Sequence, residues 1–316
     1  MYSYQSFDDV FSFDLRCAYD DQAVHDIEVC RKKLEGLFVD KVLKLMGIKR
    51  ITKIYPPKTN GDLRNLHKAI VDSAGADHHK ISVLYYVLLD LDAPTGRRVY
   101  SSSLESCSYM PPKYSIYMKG LWHMDRFEFD VALQYLTHPS LIPTFADEIL
   151  EALVRHAKHG DLRLPLAYYH TVQPALASSS AMESLFSSIA RNSVTEAFYF
   201  TRSQPEYARR HMLQILIALV VNNSSQKTIA SRSMELVNLP FSAEEEEWFE
   251  KYLVEGEGRL LKKGKDTLMM RKIGTGKFSE ALSVEGASGR THGGLGWHVI
   301  AGGIQDGLGP RMEPLN

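Results

Sequence analysis

Residues Leu121–Pro139 read LWHMDRFEFDVALQYLTHP. The pattern predicts a short helix that starts after Asp125 and is closed by Pro139, because proline cannot continue a helix. Phe127, Val131, Leu133 and Leu136 have helical spacing, and Ala132 offers a small contact face. A helix this short is not stable alone in water. The chain, however, writes it again. ALQYLTHP (132–139) is followed by AYYHTVQP (167–174), AFYFTRSQP (197–205) and a weaker copy, MELVNLP (234–240). The closing prolines, Pro139, Pro174, Pro205 and Pro240, are 35, 31 and 35 residues apart. Between them lie second helices with apolar stripes: Ile149, Leu150, Leu153 and Val154, then Leu185, Phe186 and Ile189, then Leu213, Leu216, Ile217 and Val220, then Trp248, Phe249, Tyr252 and Leu253. Helix pairs repeating at a period in the thirties point to an all-α chain built as an α-solenoid, in which each hairpin buries its apolar face only by stacking on the next.

Outward from this array, Thr267–Leu282 reads as the start of one more pair. Residues 284–316 are Gly-rich, with few side chains to pack, and read as a disordered tail. On the N-terminal side, residues 1–113 read as a helical part followed by a Ser/Pro-rich loop. Asp20–Met46 carries an apolar stripe from Ala23 to Met46 and is expected as one long helix stopped by Gly47. Asp62 is expected to cap a helix running to Ala74 or Gly75. His79–Asp92 has both alternating and helical spacings, and is assigned to a helix because no strand is available to pair with it. The stretch 93–113 is expected as a loop dividing the N-terminal part from the repeats. Residues 1–20 are read either as a first packing segment or as a docking peptide anchored by Phe7 and Phe11.

The totals exclude several function classes. The 316 residues hold 37 basic and 38 acidic side chains, so no global charge pulls the chain toward nucleic acid or anionic lipid. The three cysteines, Cys17, Cys30 and Cys107, are widely spaced and form no CxxC, as expected of free thiols in a reducing compartment. The acidic, aromatic N-terminus lacks the layout of a signal or transit peptide. No apolar run approaches the roughly 20 residues of a spanning helix, so no transmembrane segment is expected.

Chemistry-bearing motifs are sparse. His156 and His159 form an HxxH, but two ligands do not make a metal site. GTGK (274–277) fails as a phosphate loop, since Phe278 stands where Ser or Thr is needed. There is no GxSxG, and the serine-rich stretches lack a partnered base. No cofactor, small-molecule substrate or catalytic residue is therefore expected, and the chain is read as not an enzyme. A basic run, Arg259, Lys262, Lys263, Lys265, Arg271, Lys272 and Lys277, is either a contact surface for a partner, including DNA, RNA or lipid, or a solvated helix face. Nucleic acid is the less expected partner, since no groove-reading motif accompanies the run. The candidate partner-contact residues are Phe7, Phe11, Arg259, Lys262, Lys263, Arg271 and Lys272. A third reading is a coat- or TPR-type adaptor holding a peptide in its concave face.

WHMDRFEFDVALQYLTHPSLIPTFADEILEALVRH (122–156) resembles the opening of the ELYS-like domain of nuclear-pore assembly proteins. A Trp and an Asp precede a helix leading into L-x-H-P-S in that family, here Trp122, Asp125, Leu136, His138, Pro139 and Ser140. The resemblance covers roughly residues 114–283. It implies a non-catalytic, α-helical scaffold nucleoporin of the nuclear envelope, acting in pore assembly and nucleocytoplasmic transport. The implied partners belong to the Y-shaped outer-ring subcomplex: the long propeller-plus-solenoid subunit of its short arm and a small WD-repeat propeller. The chain is similar to the short fungal form. It contains no Arg-Gly-Arg-Pro of the kind found in the DNA-binding tails of animal members.

Overall fold

The computed structural model describes residues 2–11, 19–96, 98–222 and 226–277, and beyond these 280, 281, 284, 291, 292, 295, 296, 299, 302, 303 and 306. Among the described residues the chain is all-α and solenoid-like, apart from a two-residue antiparallel pairing of Thr291–His292 with Leu295–Gly296. The helices are α1 Phe7–Val10, α2 Asp21–Lys33, α3 Phe38–Leu45, α4 Ile51–Ile54, α5 Asn60–Val71, α6 Asp77–Asp92, α7 Tyr100–Cys107, α8 Pro112–Asp125 and α9 Phe129–Leu136. They continue with α10 Ala146–Arg155, α11 Arg163–Val172, α12 Ser179–Asn192, α13 Val194–Ser203, α14 Glu206–Val221, α15 Gln226–Val237, α16 Ala243–Val254 and α17 Gly264–Gly274. Two compact units result, Met1–Ala181 and Met182–Asn316. The expected disordered tail falls largely outside the described residues.

In the first unit, α6 is the centre. Val83, Leu84, Tyr85, Tyr86, Val87 and Leu88 are each at most 2% exposed. A helix buried on every side has no single apolar face, which is why its sequence carries both periodicities. Helix α8 packs on α6 and α9 on α8. The α8–α9 approach is very close: a Cβ on Gly120 would stand 2.6 Å from Leu136 Cδ2 and Cγ. Helix α9 begins after Asp125, as the opening stretch predicts, but Phe127 lies in the turn at φ 62 and not on the helix.

The expected long helix Asp20–Met46 is instead two helices. Glu35 (φ 57) and Gly36 (φ 124) take left-handed backbone between them. Two carboxylates hold the break. Asp40 accepts from the Leu37 amide at 3.1 Å and from Arg31 Nε and Nη2 at 2.7 and 2.9 Å. Asp125 accepts from the Phe38 and Val39 amides, satisfying the first orphan donors of α3. For α5, the cap is Thr59. Asp62 is its capping-box partner at the third helical position, and the helix ends at Val71. The expected loop 93–113 contains α7 and the start of α8. Asp92 makes this possible by accepting from the Val99, Tyr100 and Ser101 amides at 2.9–3.1 Å and from Ser101 Oγ at 2.6 Å.

In the second unit the hairpin rhythm is direct. Helix α13 packs on α15 and α15 on α17, while α14 packs on α16, so first and second helices of successive pairs form two layers. The four prolines follow the ends of α9, α11, α13 and α15, and Ser242 with Glu245 forms the expected capping box of α16.

Candidate functional site

The residues that carry the sequence resemblance act as fasteners. Trp122 Nε1 donates to Asp90 Oδ1 at 2.8 Å, and the Arg126 guanidinium lies 4.5 Å over its ring. The other Asp90 oxygen accepts from Tyr55 at 2.7 Å and Tyr19 at 2.9 Å. Asp125 accepts from the Phe38 and Val39 amides at 2.6 and 3.1 Å and from Tyr86 at 2.8 Å. Both carboxylates are buried. Burial pushes the Asp90 carboxyl up and the Asp125 carboxyl up to about 7, against the pull of the donors around them. The Tyr19, Tyr55 and Tyr86 hydroxyls are driven well above the ordinary tyrosine range by the same burial. His138 Nδ1 meets Ser140 Oγ at 2.8 Å, closing the turn after α9. These contacts join α3, α6 and α8. They present no activated nucleophile to solvent. Among the described residues, no group of three or more His, Cys, Asp or Glu side chains is arranged to hold a metal ion.

The candidate contact residues fall into three sets. Phe7 is half-buried and Phe11 buried; their rings lie 4.9 Å apart and pack edge-on against His67. Arg64 covers the Phe7 ring at 4.0 Å. The N-terminal segment is thus folded onto α5. Arg271 and Lys272 are also internal, at 6% and 8% exposure. Arg271 donates through Nη1 to the Val237 and Leu239 carbonyls, through Nε to Glu246 at 2.9 Å, and stacks 4.4 Å over Phe241. Lys272 Nζ pairs with Glu250 at 2.7 Å and Glu280 at 3.0 Å. These two cations tie α17 to α15 and α16.

Arg259, Lys262 and Lys263 form the third set, and all three are exposed. They flank Leu260 in sequence, which is 79% exposed at the end of a 3-10 turn, Glu257–Leu260. The turn is held hard against the end of α16: a Cβ on Gly258 would come within 2.7 Å of both the Tyr252 ring and its carbonyl oxygen. The result is an exposed leucine on a closely packed turn that also carries exposed Arg259 and Glu257. The sequence singled out the cations but not Leu260, since an RLLKK run gives no sign of which leucine turns outward. No helix among the described residues is long and apolar enough to cross a membrane.

Comparison with known proteins adds two findings. A family described as "ELYS: Nuclear pore complex assembly" matches residues 36–256. The match starts far upstream of residue 114 and so takes in α3, Asp90, Trp122 and Asp125; it stops just before the Leu260 turn. The uncharacterized protein ely5 of Schizosaccharomyces pombe is 28% identical over 233 residues, covering 72% of this chain and 72% of ely5.

Proposed function

The chain belongs to the ELYS family of nuclear pore complex assembly proteins, and from that membership we propose that it is a non-catalytic scaffold nucleoporin that docks on the Y-shaped outer-ring subcomplex. In this reading it works by shape. A stack of helix hairpins presents a broad, preformed surface, and ordered backbone at the contact lowers the entropic cost of association. The observation that carries the reading is the family match over residues 36–256, on an all-helical chain whose buried carboxylates serve as hydrogen-bond acceptors between helices. The partners are the long propeller-plus-solenoid subunit of the short arm and the small WD-repeat propeller.

The Leu260 tip is the proposed contact. An exposed leucine on a closely packed turn is the kind of anchor that fills a partner's pocket. Arg259, Lys262 and Lys263, flanking it in sequence, would speed encounter with an acidic rim. The nucleic-acid reading draws less support, because Arg271 and Lys272 are already engaged by Glu246, Glu250 and Glu280. The test is co-purification of the full chain with recombinant outer-ring subunits. We expect capture by the native chain and its loss with Leu260→Ser/Lys262→Glu/Lys263→Glu. Capture unchanged by the triple substitution would remove the tip from the interface, and no capture of either subunit at moderate salt would refute outer-ring docking.

A further inference from the structure

A cleft of about 400 Å³ opens in the first unit between α2, the C-terminal end of α6 and the α8–α9 turn. This is within the size range of ligand pockets. One wall is apolar. Ala23, Ile27 and Cys30 of α2 line it, and each is only half-buried. The helix has 13 residues and fully buries only Val24. Its apolar stripe therefore faces the cleft, and among the described residues its side chains stay partly exposed there.

The remaining surfaces are aromatic and acidic. Tyr55 and Tyr86 form the floor together with Asp90 and Asp125, and the two rings meet edge-on at 6.3 Å. Asp20, Asp26 and Glu128 stand at the exposed rim. Among the described lining residues the exposed rim thus carries three carboxylates beside Arg126, which is itself drawn over the Trp122 ring, while Asp90 and Asp125 below them are taken up by their internal donors. A cleft with an excess of one sign of charge at its rim raises the local concentration of an oppositely charged ligand.

The shape and charge together select the ligand. A metal ion is a poor match, because no group of three ligating side chains converges among the described residues. A side chain with an apolar stem and a cationic head satisfies both walls at once. Between the two such side chains, the guanidinium is the better fit. It is planar, weakly hydrated, forks onto carboxylates and stacks on aromatic rings, whereas an ammonium is a compact, strongly hydrated point charge. We propose that this cleft binds the arginine side chain of a basic segment of a protein partner, with the stem along Ala23, Ile27 and Cys30 and the head among the rim carboxylates of Asp20, Asp26 and Glu128.

Cys30 supplies a built-in reporter, since its thiol lines the cleft while Cys107 is exposed elsewhere on the same unit. The experiment uses the full chain, a peptide of sequence Gly-Leu-Arg-Gly-Leu-Arg-Gly, and the same peptide with citrulline in place of arginine. Fluorescence anisotropy reads binding, and mass spectrometry reads alkylation of each cysteine. The arginine peptide should bind at least tenfold tighter than the citrulline peptide and should slow alkylation of Cys30 severalfold, leaving Cys107 unchanged. Asp26→Asn/Glu128→Gln removes two rim charges from exposed positions and should weaken the arginine peptide at least fivefold, with an unaltered circular dichroism spectrum. Equal binding of the two peptides, no protection of Cys30, or full binding by the rim variant would each overturn the proposal. Outer-ring capture depends on other residues, so failure here leaves the scaffold reading standing.

Discussion

Replacing Asp125 with alanine tests how the two N-terminal helices, α2 and α3, are held apart. The carboxylate satisfies the Phe38 and Val39 amides at the start of α3 and the buried Tyr86 hydroxyl. Loss of a helix N-cap costs about 1 kcal/mol per bond, and a buried hydroxyl left without a partner costs about 2 kcal/mol. The sum is about 4 kcal/mol. The pH dependence then has a definite sign. In the folded chain the Asp125 carboxyl is raised to about 7, well above the ordinary aspartate value it takes when unfolded. The native state therefore holds a proton that the unfolded state has released between about pH 4 and pH 7. Stability from this group is greatest below that window and falls as pH rises through it, by about 3 kcal/mol between pH 5 and pH 8. The destabilisation caused by Asp125→Ala should thus be about 4 kcal/mol at pH 5 and about 1 kcal/mol at pH 8. Urea unfolding at the two pH values measures the gap, and hydrogen exchange of the α3 amides reports the same loss locally. A gap below about 1 kcal/mol at pH 5, or one that widens with pH, would refute the reasoning.

Arg271→Ala should destabilise the second unit by about 3–5 kcal/mol, because it leaves Glu246 and the Val237 and Leu239 carbonyls without their donor; faster amide exchange confined to 236–274 would accompany it, and a change under about 1 kcal/mol would contradict the buried bridge. Gly120→Ala should cost about 1–3 kcal/mol by forcing Leu136 out of its place between α8 and α9, read as a lowered thermal midpoint. Leu260→Ser/Lys262→Glu/Lys263→Glu should leave the midpoint within about 2 °C, since all three side chains point to solvent; a large drop would show that the tip is structural.

What the sequence made legible was local. Proline stops, the Ser242–Glu245 capping box and the apolar stripes of α10, α12, α14 and α16 act within a few residues, so the hairpin rhythm could be read directly. What it concealed was set by distant partners. The break between α2 and α3 depends on Asp125, 87 residues from Phe38. Helix α7 forms in a serine-rich stretch because Asp92 caps it from the end of α6. Arg271 and Lys272 look like surface cations in the sequence, yet Glu246 and Glu250 draw them inside from more than 20 residues away. Trp122 and Asp125 pointed to the right family as sequence marks, and in the structure they hold helices together.

The most direct test of the central claim is affinity purification of the tagged full chain, expressed at its native level, followed by mass spectrometry of the retained proteins. The account predicts enrichment of the outer-ring nucleoporins at moderate salt, with the long propeller-plus-solenoid subunit and the small WD-repeat propeller among them. Retention of unrelated proteins with no nucleoporin enrichment would contradict it.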